Sequence, residues 1–177
     1  MNATAARRLV WDWPDKGTDR ATVLTTPDGL QISGQHAETR YWLHTDPNHA
    51  AISLKVQVDR AQPLDLRRDR DGWHHLDGSL IPGSAMAIDP DIACTALTNT
   101  LPIRRLGPGI GDTAAMDVLY LPVPDLTPRI VQQRYTRTDD GYRYQNLQSG
   151  FEALLSVDND GWVTDYPGVC RMMEPPQ

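Results

Sequence analysis

Five of the arginines in the second half of this chain fall in two groups, Arg104 and Arg105, then Arg134, Arg137 and Arg143, with Tyr135, Tyr142 and Tyr144 interleaved among the last three. A guanidinium is a planar fork that holds a phosphate, sulfate or carboxylate through paired N–H donors. A tyrosine ring stacks against a sugar and offers a hydroxyl at its edge. Together they point to an anion or saccharide site, with Arg104, Arg105, Tyr135, Arg137 and Tyr144 as candidate ligand-binding residues. The same arginines have a structural alternative, pairing with Asp89, Asp91, Asp158 or Asp165. Asp165 closes the apolar run Trp162-Val163-Thr164-Asp165-Tyr166, is the partner expected for Arg104, and joins the candidate set.

Other chemistries find less support. His74 and His75 are adjacent, so on a strand they face opposite sides and cannot chelate one ion together. Neither H-x-x-x-H nor C-x-x-C occurs, and no metal or cofactor is expected. The G-x-S-x-G elbow of the α/β-hydrolases is missing. Gly107-Pro108-Gly109-Ile110-Gly111 lacks the lysine and following helix of a phosphate-binding loop. No residue is assigned a catalytic role. A net charge of −6 gives no electrostatic footprint for nucleic acid. Cys94 and Cys170 are expected as free thiols. One Phe against five Trp and six Tyr puts amphipathic rings where Phe would fill a core, which suits a half-wet cavity or is a matter of composition alone.

The elements that position these residues read as short strands. Ile52, Leu54, Val56 and Val58 alternate with Ser53, Lys55 and Gln57, and Phe151, Ala153, Leu155 and Val157 alternate in the same way. Pro27-Asp28-Gly29, Arg70-Asp71-Gly72 and Asp139-Asp140-Gly141 mark turns between them. No segment sustains a helical period beyond about two turns. The exception in kind is Leu97-Thr98-Asn99-Thr100-Leu101-Pro102-Ile103-Arg104-Arg105-Leu106, where hydroxyl and amide side chains offer caps, Pro102 suits a first turn and Gly107-Pro108 stops it. Leu101, Ile103 and Leu106 are expected to anchor this short helical turn, with at least one arginine partly buried and in need of an acceptor. The expected class is all-β and mainly antiparallel, a curled sheet or partial β-barrel with one or two short helical turns. A single domain is placed at 9–171, with flexible tails at 1–8 and 172–177.

The central motif Thr98-Asn99-Thr100-Leu101-Pro102-Ile103-Arg104-Arg105-Leu106 resembles that of the bacterial Putative glycolipid-binding family, once a domain of unknown function. Pro124-Asp125-Leu126, Gln133-Arg134-Tyr135-Thr136-Arg137, Tyr142-Arg143-Tyr144, Val157-Asp158 and Gly161-Trp162-Val163-Thr164-Asp165-Tyr166-Pro167-Gly168 follow in the family's order. The resemblance implies a barrel-like antiparallel shell, similar in outline to bacterial lipoprotein carriers. It also implies a non-enzymatic binder of an amphipathic small molecule such as a glycolipid. The acyl part is expected among Ile52, Leu54, Val56 and the Phe151 strand, and the head group near Arg104, Arg105 and Tyr135. The alternatives are an enzyme using a buried Arg–Asp pair with Asp165 as base, and a fully packed barrel acting through protein contacts. With no apolar h-region behind Arg7-Arg8 and no run long enough to span a bilayer, a cytoplasmic location is expected. Ligand identity and oligomeric state are not legible.

Overall fold

The computed structural model describes residues 5–173. Fourteen strands account for most of the chain. The first seven are β1 (Ala5–Trp13), β2 (Gly17–Thr26), β3 (Gly29–His36), β4 (Thr39–Thr45), β5 (Ala51–Val58), β6 (Leu64–Asp69) and β7 (Gly72–His75). After a 3-10 turn at Ser84–Met86 comes β8 (Asp89–Ile92), then a second 3-10 turn at Leu97–Asn99 that runs into α1 (Thr100–Leu106), the single α-helix among the described residues. The rest are β9 (Thr113–Leu121), β10 (Arg129–Thr138), β11 (Gly141–Asn146), β12 (Glu152–Val157), β13 (Val163–Tyr166) and β14 (Cys170–Met173).

All fourteen belong to one sheet, in the order β7-β6-β5-β4-β3-β2-β1-β14-β13-β12-β11-β10-β9-β8. Every neighbour pair is antiparallel except β8 with β9. The first and last strands therefore meet at the middle of the sheet, where Val10 faces Met173 and Trp11 faces Met172. Residues assigned to tails from sequence, Ala5–Arg8 and Met172–Met173, are paired strand; residues 1–4 and 174–177 lie outside the described residues.

The sheet curls but does not close. Its edge strands, β7 and β8, are consecutive in sequence, and the 3-10 turn at Ser84–Met86 packs against both β7 and β9 across the seam. The Trp73 backbone N–H donates to Ser84 Oγ (2.8 Å) and its indole to the Ala87 carbonyl (2.7 Å). Among the described residues no helix is long and apolar enough to cross a membrane.

Alternation builds the core as expected, with one local exception. In β4, Tyr41, Leu43 and Thr45 point inward while Arg40 and His44 are exposed. In β5, Leu54 and Val56 are fully buried, but a register shift sets His44 opposite Ser53 and Thr45 opposite Ala51. Ile52 is the extra residue of this bulge and is 42% exposed. The apolar lining expected of Ile52, Leu54 and Val56 is therefore not formed: two are core and one faces out.

The helical motif fills the concave side of the sheet. Every residue from Cys94 to Ile103 is buried, while Leu106, expected as an anchor, is 39% exposed. Gly107 ends the helix in the left-handed region (φ 51°), its N–H returning to the Ile103 carbonyl. The motif's oxygens do meet backbone N–H groups, though not at the start of α1. Thr98 Oγ1 accepts from Ile92 N in β8, and Thr100 Oγ1 from Val163 N in β13 (3.3 Å each). These bonds tie the plug to strands from both ends of its half of the sheet. They satisfy N–H groups whose burial unpaired would cost on the order of 1–3 kcal/mol each.

Candidate functional site

Arg105 shows what the plug's basic end does. Its guanidinium grips Asp89 through Nε (3.2 and 3.3 Å) and Nη2 (2.6 Å), and Asp89 is 1% exposed. Burial pushes the Asp89 carboxyl up and Arg105 opposes it. The neighbouring Arg104 points elsewhere, onto the ring of Trp162 at 4.8 Å. The expected Arg104–Asp165 pair is not made: Asp165 accepts from Arg171 Nε at 3.0 Å. Arg137 lies over Tyr142 (4.9 Å) and donates to the Gly141 carbonyl at the tip of the β10–β11 hairpin.

Tyr135 and Tyr144 do come together, facing each other across β10 and β11 with ring centroids 5.3 Å apart. Tyr144 continues into a cluster with Tyr166 (6.1 Å, edge-on) and Phe151 (6.2 Å). This cluster lines a cleft of about 480 Å³, open to solvent, together with Trp13 and Lys16 and with Asp91, Asn99 and Thr95 among its polar lining. Of the six residues singled out from sequence, Tyr144 lines this cleft and Tyr135 is buried beneath it. Asp165 and Arg137 line two other, polar clefts.

The residue that organises the cleft is Asp91, which sequence reasoning placed only among possible structural partners. Its Oδ2 accepts from Gln133 Nε2 (2.6 Å) and its Oδ1 from Thr98 Oγ1 (3.3 Å). Gln133 is held in turn, its Oε1 accepting from the Tyr135 hydroxyl (3.3 Å), which accepts from Asn99 Nδ2 (2.9 Å). The Tyr135 links are buried and the two bonds to Asp91 are partly buried, so the carboxylate has a fixed position and direction. No cation touches Asp91 among the described residues. Burial pushes its carboxyl up, against the pull of Gln133 and Thr98. The phenols of Tyr144 and Tyr166 are also pushed up, first by burial, and keep their protons as donors.

A second buried network lies behind the Trp13 wall. Asp19 accepts from Thr95 Oγ1 (2.6 Å) and the Tyr41 hydroxyl (2.8 Å). Gly34 makes this possible, because a Cβ there would come within 2.2 Å of the Tyr41 ring that lies across it. Burial pushes the Asp19 carboxyl up to about 6, with Thr95, Tyr41 and the charge of His36 pulling the other way. Among the described residues no group of three or more His, Cys, Asp or Glu converges as a metal site. Cys94 and Cys170 are both free and buried, with thiols pushed up to about 12 by burial.

The signal that could have found Asp91 is its spacing from Asp89. Two carboxylates at i and i+2 share one face of a strand, and that strand precedes the motif that carries Thr98 and Asn99.

This arrangement defines a class: a single curled antiparallel sheet, plugged by a short helix, with an aromatic-walled cleft over a fixed carboxylate. The chain belongs to the Putative glycolipid-binding family, whose model matches residues 9–172. It is similar to a DUF1089 family protein from Pseudomonas aeruginosa known from a crystal structure, with 32% identity and a TM-score of 0.69 over 96% of this chain and 91% of that one. Comparison with curated proteins finds no match.

Proposed function

We propose that this protein binds an amphipathic small molecule by a hydroxyl-rich head group, the sugar of a glycolipid, in the cleft over Asp91. The observation that carries this reading is the carboxylate itself, held by Gln133 and Thr98 and, among the described residues, in contact with no cation, in a cleft also lined by Tyr144, Tyr166 and Phe151. Sugar hydroxyls donate to carboxylates, and the apolar face of a pyranose stacks on aromatic rings. Asn99, Asn146 and Gln148 add amide donors and acceptors around the same space. Val131, Phe151 and Val169 give the apolar lining on which the first part of a tail would rest.

Binding is favoured over catalysis by the lining. Glycoside hydrolysis employs two carboxylates flanking the bond to be cut. Among the described residues Asp91 is the single acidic residue lining the cleft. The buried Arg–Asp pair, Arg105 with Asp89, is satisfied within the fold and does not line it.

The test is the affinity of octyl glucoside, below its micelle concentration, for the wild type and for Asp91→Asn. Above the pH at which Asp91, pushed up by burial, gives up its proton, loss of a hydrogen bond to a charged acceptor is worth roughly 1.5–3 kcal/mol, so affinity there should fall about tenfold or more with the fold intact. Unchanged affinity in Asp91→Asn would remove the carboxylate from the reading.

A further inference from the structure

His36 ends β3, is 6% exposed, and has an unusual set of partners. Its Nδ1 lies 2.7 Å from the Cys94 carbonyl oxygen and its Nε2 lies 2.9 Å from the Lys16 carbonyl oxygen. Both partners are acceptors with no proton to give. A neutral imidazole carries one N–H and one lone pair, so it can satisfy only one of them and would set a lone pair against the other. The imidazolium, with two N–H donors, satisfies both. The ring is packed against Trp13, with centroids 4.9 Å apart, where a cation is favoured by the indole face.

The two carbonyls belong to the segments that shape one side of the cleft. Lys16 lies in the β1–β2 turn, Cys94 precedes Thr95, and Trp13, Lys16 and Thr95 all line the cleft. We infer that His36 is a buried imidazolium that staples the β1–β2 turn to the segment leading into the plug. In this role it is a positioning residue for the cleft wall, and ligand affinity depends on its second proton. This inference rests on the reading of the cleft as the binding site.

Of the groups around the ring, the Asp19 carboxylate favours a cation there and the Lys16 ammonium disfavours it. Asp19 sits opposite His36 in the β2–β3 register, its carboxylate held by Thr95 and Tyr41. The β1–β2 turn adds Lys16, whose ammonium lies 5.9 Å from the Trp13 ring centroid. From the plug side comes the Cys94 thiol, which burial keeps protonated. Thr39, opposite His36 on β4, is uncharged.

The experiment has two arms. Long-range 1H–15N spectra of labelled wild-type protein read the His36 ring directly, without any ligand. Both ring nitrogens should be protonated in the folded protein at the pH where octyl glucoside binds. His36→Gln, whose single amide nitrogen cannot reach both carbonyls, should bind octyl glucoside about tenfold more weakly than the wild type. One unprotonated ring nitrogen in the ligand-binding state overturns the inference, as does unchanged affinity in a folded His36→Gln. If His36→Gln fails to fold, the wild-type spectra decide. If octyl glucoside does not bind the wild type, the cleft reading fails, and the spectra still decide the charge of His36.

Discussion

Gln133 Nε2 donates to Asp91 Oδ2 at 2.6 Å, joining β10 to β8 across the floor of the cleft. The two residues are 42 positions apart in the chain, and the bond does more than stabilise. It fixes the direction in which a carboxylate without a cation partner presents its free lone pairs.

Gln133→Leu should therefore weaken both stability and binding. The variant removes a hydrogen bond to a charged, partly buried acceptor and leaves the Tyr135 hydroxyl without its acceptor. The expected loss is roughly 1.5–3 kcal/mol by urea denaturation. Because Gln133 pulls the Asp91 carboxyl down, its midpoint in a 13C-detected NMR titration should move up in the variant. An unmoved midpoint would mean that the bond does not govern the carboxylate.

Arg105 and Asp89 test the structural half of the arginine-rich motif. Arg105→Ala leaves an almost fully buried carboxylate unpaired and should cost about 3–5 kcal/mol. The double variant Arg105→Met with Asp89→Leu should cost much less than Arg105→Ala, since it leaves neither charge behind. Denaturation of both variants against the wild type separates the cases. Equal losses would show that packing, not charge, dominates there.

Much of the fold was legible in the sequence, and the site was not. Period-two alternation and Asp-Gly turns located the hairpins, because each strand buries one face and its register follows from the turn. Alternation could not show the bulge that turns Ile52 out, since a bulge is set by the partner strand. Nor could it show that β14 extends to Met173, because that pairing is with the other end of the chain. The central motif was visible as an interruption of the strand pattern. The partly buried arginine in need of an acceptor was also visible; its acceptor, Asp89, was one of four aspartates that composition alone could not rank. Asp91 became a site only when β8, β10, β11 and β13 converged, bringing Gln133, Tyr144 and Tyr166 to it from distant positions.

Asp19 should leave a signature in the pH dependence of stability. Its folded value, about 6, lies above its ordinary 3.8, so the folded protein holds this proton more tightly than the unfolded chain. The associated stability is fully present below pH 3.8 and is lost as pH rises through about 6. About two pKa units correspond to roughly 3 kcal/mol. Asp19→Asn lacks this titration, so its stability relative to wild type should rise by up to that amount between about pH 4 and pH 7. A constant difference across that range would show that Asp19 does not titrate on unfolding.

The most direct test of the cleft as the binding site is a backbone NMR map of octyl glucoside binding. Saturable shifts should centre on Asp91, Asn99, Tyr144, Phe151 and Tyr166, which line one cleft but come from five separate segments of the chain. Shifts centred instead on Arg104 and Trp162, on Asp165 and Arg171, or the absence of any saturable shift, would contradict a head-group site over Asp91.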